Sequence, residues 1–196
     1  GGMERLTFGV RASYYLEYKS KPFVKQSTWQ GYRRLVENHL LPAFGGIPLE
    51  ELEPEMLQRF FSERTDALST GTARNILTLL RSILRDAYQD GKLKRRIWEN
   101  IRLNKKAAKK VRVLTREEQI RLEQYAQREK RVEYILCLYT GIRIGELCAL
   151  RWEDVDWSAG ALKIRHTLQR AVLQGRTVLT LSSPKTDASF RSVPLP

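Results

Sequence analysis

Through the first ninety residues apolar side chains recur every three to four positions, the period of a helix with one buried face. Leu6, Val10 and Tyr14 mark a first helix, with Tyr18 on the same line, and the run stops near Ser20-Lys21-Pro22. Ser27-Thr28 offers an N-cap for a second helix carrying Trp29, Tyr32, Val36 and Leu40, which Pro42 and Gly45-Gly46 are expected to break. Pro54 suits the first turn of a third helix through Arg64. After Thr70-Gly71, the positions Ile76, Leu79, Leu80, Ile83, Leu84, Ala87 and Tyr88 follow the alternating steps of an amphipathic helix, closed by Gly91. The pattern predicts a four-helix domain over residues 3–100.

From Lys92 to Arg112 the periodicity weakens, and residues 101–113 are expected to form a basic linker centred on Lys105-Lys106-Ala107-Ala108-Lys109-Lys110. Extended, this linker would span about 40 Å, several times the ~12 Å width of a DNA major groove. A second domain is predicted over 114–196. Thr115 and Glu118 form a T-x-x-E capping box for a helix to about Arg128. Val132 to Tyr139 reads as another helix, apolar enough to be buried, and after Gly141 a short helix resumes over Arg143 to Leu150. Leu162, Ile164 and Thr167, then Val178, Leu179 and Leu181, predict two strands joined near Gln174-Gly175, and Val193 a third, edge strand. The expected fold class is therefore all-α first, then α+β with a three-stranded antiparallel sheet.

Composition narrows the function. The 42% apolar content of the 196 residues suffices for a core. The longest unbroken apolar run, Tyr134–Tyr139, is far short of the ~20 residues of a membrane-spanning helix. Cys137 and Cys148 suggest neither a disulfide framework nor a C-x-x-C site, and a reducing compartment fits them. His39 and His166 lack companions at ligand spacing, so no zinc or other metal site is expected. The net charge is +13, and residues 91–116 hold 11 basic side chains against the single acid Glu99, contributing +10 of it. Like charges at that density resist packing and favour a polyanion partner. On the outer face of the fourth helix Arg74, Thr78, Arg81 and Arg85 are spaced four, three and four, adding to the basic footprint.

The string Tyr139-Thr140-Gly141-Ile142-Arg143-Ile144-Gly145-Glu146-Leu147-Cys148-Ala149-Leu150-Arg151-Trp152 closely resembles the first signature of the tyrosine recombinase, or phage integrase, family. Forty residues on, Pro184-Lys185-Thr186, Ser189, Arg191 and Val193-Pro194-Leu195 are similar to that family's hairpin lysine and following strand. The helical half resembles the family's SAM-like core-binding domain. The resemblance implies a mobile-element integrase that cleaves and rejoins DNA through a phosphotyrosyl intermediate, with no cofactor, neither ATP nor metal. It implies double-stranded DNA at a recombination core site as partner, a dimer or tetramer on that DNA, and a cytoplasmic, nucleoid-associated location. It also implies a clamp, with the helical half on one face of the duplex and the second half on the other.

The chemistry agrees with the resemblance. Attack on a phosphodiester concentrates negative charge on the non-bridging oxygens, which a planar, permanently charged guanidinium neutralises two at a time. Arg143, after a glycine at a helix start, is the expected catalytic arginine, with N–H groups of that terminus nearby. Glu146, three residues on, is expected to orient or pair with it. Lys185 is expected to protonate the departing deoxyribose oxygen. Arg33, Arg74, Arg81, Arg85, Lys105, Lys106, Lys109, Lys110 and Arg191 are the expected DNA contacts.

The sequence departs from the family pattern after Lys185. Neither histidine begins a His-x-x-Arg element, and the eight tyrosines end at Tyr139, so no nucleophile follows the lysine. The reading is of a chain cut within the catalytic domain that binds DNA without cleaving it. The alternative is a natural truncated regulator that occupies core sites. A basic RNA-binding protein is disfavoured, because no aromatic RNP strand or Gly-x-x-Gly loop is present.

Overall fold

The computed structural model describes residues 5–64, 67–104, 111–173, 176–182 and 190–195. The chain divides into two compact units, Gly1–Lys109 and Lys110–Pro196.

The first unit is helical. Helix α1 (Phe8–Tyr14) continues through π turns (Tyr15–Ser20). Helix α2 (Gln26–Leu35) passes through π turns (Val36–Leu40) into α3 (Leu41–Phe44). Pro42 therefore does not break the second helix as expected. Proline clashes with the carbonyl four residues back, and here the wider turns, in which Leu41 N–H reaches the Val36 carbonyl, open the backbone just ahead of it. Helix α4 (Pro54–Glu63) starts at its proline, and α5 (Thr70–Gln89) is capped by the Ser69 hydroxyl, which accepts from Thr72 N–H at 3.0 Å. Ile76, Leu77, Leu79, Leu80, Ile83, Leu84 and Ala87 of α5 are buried against Phe8, Leu40, Leu49, Leu57 and Phe60. The first N–H groups of α1 are satisfied across the chain, Phe8 by Ile47 O and Gly9 by Gly45 O, both at 2.9 Å.

Residues 93–103 extend this core. Leu93, Ile97, Trp98 and Ile101 are buried and Leu103 packs against them, so part of the stretch read as basic linker is core. The density of charge hid these side chains: Leu93, Ile97, Trp98 and Ile101 are spaced four, one and three, as on a helix, yet the segment folds as a run of turns.

In the second unit α6 (Arg116–Arg128) carries the expected capping box: Glu118 N–H donates to Thr115 Oγ1 at 3.2 Å and Thr115 N–H to Glu118 Oε2 at 3.0 Å. Helix α7 (Val132–Thr140) is followed by α8 (Ile144–Leu147). Contrary to expectation α7 has no fully buried residue. A groove of about 630 Å³ lies along it, lined by Ile135, Leu136, Val155, Trp157, Leu162 and others. A three-stranded antiparallel sheet runs β1 (Val155–Asp156), β2 (Ala161–Ile164), β5 (Arg191–Pro194), with Leu162 opposite both Val155 and Val193. The edge position of β5 is as expected. The predicted first strand, however, divides after Ile164: β3 (Thr167–Leu173) and β4 (Arg176–Ser182) form a separate two-stranded sheet, Thr167 opposite Ser182. Among the described residues no helix is long and apolar enough to cross a membrane.

Candidate functional site

The turn between α7 and α8 is assembled residue by residue. Gly141 ends α7 in the left-handed conformation (φ 63°), its N–H donating to Cys137 O at 3.0 Å. Ile142 then buries itself against Leu162 and Ile164, fixing the chain to the sheet. Arg143 is extended (φ −76°, ψ 150°), and its carbonyl accepts from Glu146 N–H and Leu147 N–H, each at 2.9 Å. Gly145 has its own reason: a Cβ there would lie 2.5 Å from Thr167 Oγ1 and 2.9 Å from Leu168 O, so only glycine lets α8 sit this close to β3. Anchor, arginine, contact glycine and glutamate thus occur in the order the fold needs them.

Glu146 is 4% exposed and fully engaged. Its Oε2 accepts from Arg143 N–H at 2.9 Å and its Oε1 from Arg143 Nη1 at 2.9 Å. Arg191, on β5, donates Nη1 to Oε1 at 3.1 Å and Nη2 to Oε2 at 2.9 Å. Four donors fill the acceptor capacity of one carboxylate. The Arg191 guanidinium, above all, lowers the Glu146 pKa to about 2 against the opposing effect of burial, and the two donors of Arg143 add to it. The same pairing raises Arg191. The two arginines differ in exposure: the Arg143 side chain is 72% accessible, that of Arg191 30%. The expected contribution of a helix terminus is weak, because α8 is a single turn; the charge presented is the guanidinium itself.

The remaining sequence-predicted residues are dispersed. Lys185, Lys105, Lys106, Lys109 and Lys110 lie outside the described residues. Arg74 and Arg85 are exposed on α5 and hold no ion pair among the described residues. Arg81 is half-buried, donating Nη2 to Ile101 O at 3.1 Å and Nε to Trp98 O at 3.3 Å, so it ties the 98–101 segment to α5. Arg85 and Arg96 line a pocket of about 490 Å³ together with Tyr88 and Trp98. Arg33 is exposed and paired with Glu37 at 2.7 Å, which raises its pKa. Other cations of the basic stretch also find acids: Arg95 with Glu53 at 2.5 Å, Arg96 with Glu99 at 3.3 Å, and Arg112 with Glu118. The sequence pattern did not reveal the Arg191–Glu146 pairing, because the residues stand 45 positions apart and only the β2–β5 pairing brings them together.

The fold and this turn define a class: a helical unit followed by an α+β unit that presents an arginine on a glycine-flanked turn braced by a buried glutamate. The family profile "Phage integrase, N-terminal SAM-like domain" matches residues 7–63, and the profile "Phage integrase family" matches residues 112–186. The chain belongs to the phage integrase, or tyrosine recombinase, family. It is 26% identical over 194 residues to the putative prophage phiRv2 integrase of Mycobacterium tuberculosis, covering 96% of this chain and 48% of that protein. The integrase of transposon Tn1549, solved in complex with a circular intermediate DNA, shares the fold with a TM-score of 0.82 at 22% identity, over 97% of this chain and 61% of the other. A lambda integrase dimer bound to a core site matches at 0.69 and 22% identity, over 90% and 49%. The chain spans about half the length of the curated relatives it matches.

Proposed function

We propose that this chain grips duplex DNA at the core site of a mobile-element recombinase, with Arg143 holding the phosphate at which strands are exchanged. The observation that carries the reading is a guanidinium 72% exposed on a turn whose backbone is pinned by Glu146 and Ile142. A charge held in place before the substrate arrives needs no reorganisation as negative charge builds on the phosphoryl oxygens. In a recombinase that also supplies a tyrosine nucleophile, Lys185 would give the proton to the departing deoxyribose oxygen, and the phosphotyrosyl link would conserve the bond energy. No tyrosine follows Tyr139 and no His-x-x-Arg element occurs in this sequence, so the chain as it stands binds DNA and leaves it intact. Arg74, Arg85 and the lysines at 105, 106, 109 and 110 contact phosphates, with Arg33 released from Glu37 to join them. Assembly as dimers or tetramers on DNA follows the lambda integrase, which has been solved as a dimer on a core site and as a tetramer on a Holliday junction.

Fluorescence anisotropy with a labelled duplex between 50 and 200 mM salt tests this. Affinity should fall steeply, and replacing Lys105, Lys106, Lys109 and Lys110 by Gln should flatten the log–log slope by about 0.9 for each phosphate no longer neutralised. An unchanged slope removes the lysines from the interface. A nicked product from this chain alone would overturn the non-cleaving assignment.

A further inference from the structure

Glu146 is one buried carboxylate facing two arginines, and the electrostatics of that arrangement depend on which arginine it neutralises. Arg191 offers two parallel N–H···O bonds, from Nη1 at 3.1 Å and Nη2 at 2.9 Å, the fork-to-fork geometry in which a guanidinium and a carboxylate pair most strongly. Arg143 offers one side-chain bond, from Nη1 at 2.9 Å, and leaves the rest of its guanidinium in solvent. The set of three therefore carries one surplus positive charge, and that charge sits on the exposed member. With Glu146 and Arg143 alone the pair would be neutral, and the charge of Arg143 would be spent on the carboxylate, leaving none in surplus for an approaching phosphodiester.

We infer that Arg191 is a positioning residue: by satisfying Glu146 it leaves the full charge of Arg143 available to a phosphate oxygen, and it does not itself contact DNA. The inference rests on the reading of Arg143 given above and replaces the expected DNA contact at Arg191 with an indirect role. It explains why the edge strand β5 turns a cation inward. Ser192 and Pro194 beside it are exposed, whereas the guanidinium of Arg191 is directed to a carboxylate 5% accessible.

The test uses the full chain, inorganic phosphate at low ionic strength as the probe, and the backbone amide resonances of residues 143–146, present in every variant, as the local reporter of binding. Arg191→Gln should weaken phosphate binding roughly tenfold, the scale of one incompletely screened charge. Adding Glu146→Gln to that variant removes the carboxylate that Arg191 had neutralised, and binding should return to within about twofold of the unaltered chain. A double variant as weak as Arg191→Gln alone overturns the inference, because a residue touching phosphate directly cannot be rescued by deleting its partner. If Arg191→Gln loses the dispersed resonances of the folded unit, Arg191→Lys carries the test. Lysine keeps the charge, so binding retained within about threefold supports neutralisation of Glu146. A tenfold loss in the folded Lys variant that Glu146→Gln fails to restore overturns it. Arg143→Gln separates the two levels: phosphate binding unaffected by that change sinks the reading of Arg143 itself, whereas binding lost there but not rescued in the double variant sinks only the role of Arg191.

Discussion

Arg11 is 5% exposed, pairs with Asp86 and with Asp90 at 2.6 Å, and lies 4.9 Å from the centroid of the Tyr14 ring. It joins α1 to the end of α5 and has no counterpart in the hydrophobic pattern, which reads a charged residue on a helix as solvated. Glu146 is the second buried charge, and it gives the molecule a defined acid sensitivity. Its pKa falls from an ordinary value near 4.5 to about 2, so folding is stabilised while the group is ionised. That stabilisation is complete above about pH 4.5 and is lost as pH drops through the interval down to about 2. Its ceiling is about 3 kcal/mol, from 1.36 kcal/mol per unit. Urea denaturation at pH 6 and at pH 3, followed by the amide resonances of Ile142 and Leu162 in the second unit, should show the loss, and Glu146→Gln should remove most of the pH dependence in this range. A variant that titrates like the parent would place the acid sensitivity elsewhere. Asp156 contributes in the same direction, its pKa lowered first by Lys163 at 2.8 Å and then by Ser158 and Ala159 N–H.

At the scale of elements, local chemistry decided most boundaries. Pro54 and the Thr115–Glu118 box begin helices where the sequence places them, because caps act within four residues and need no tertiary partner, whereas α2 starts at Gln26, ahead of the expected Ser27-Thr28 cap and with no side-chain cap. The π turns at Tyr15–Ser20 and Val36–Leu40 were not legible: the sequence around them reads as ordinary helix, and the widening answers to contacts such as the Trp29 indole N–H donating to Leu16 O at 3.0 Å. The division of the predicted first strand into β2 and β3 was equally hidden, since Leu162, Ile164 and Thr167 suit either arrangement. At the site, the sequence located the arginine and the glutamate three residues on, while the partner on β5 required the sheet. Gly145 marks how tightly these elements fit. Gly145→Ala should drive α8 from β3 and cost about 1–3 kcal/mol, the range for overpacking a tight site. Thr115→Ala should cost about 1 kcal/mol through removal of the cap on α6 alone. Chemical denaturation measures both costs, and NMR distinguishes them further: only the Gly145 variant should also shift the Arg143 resonances.

The two units are built to different depths, and that difference sets the last prediction. In the first, 22 buried hydrophobic residues form one cluster to which α1, α4, α5 and the 93–101 segment all contribute. In the second, the corresponding cluster among the described residues holds three, Ile142, Leu162 and Ile164. Its helix α7 leaves Val132 70% exposed, and Trp152 and Trp157 stand 82% and 73% exposed nearby. Buried apolar area is the dominant favourable term in folding, so a unit that leaves this much uncovered opens at lower free energy. Hydrogen exchange followed by mass spectrometry should therefore resolve two classes of amide. Peptides from α5 should exchange only through global opening of the first unit, while peptides from α7 and from the β3–β4 pair should exchange orders of magnitude faster under the same conditions. Heating should give two transitions for the same reason, the buried Trp29 and Trp98 of the first unit reporting the later one. Protection of α7 equal to that of α5 would mean that its apolar face is covered in solution by something the described residues do not supply.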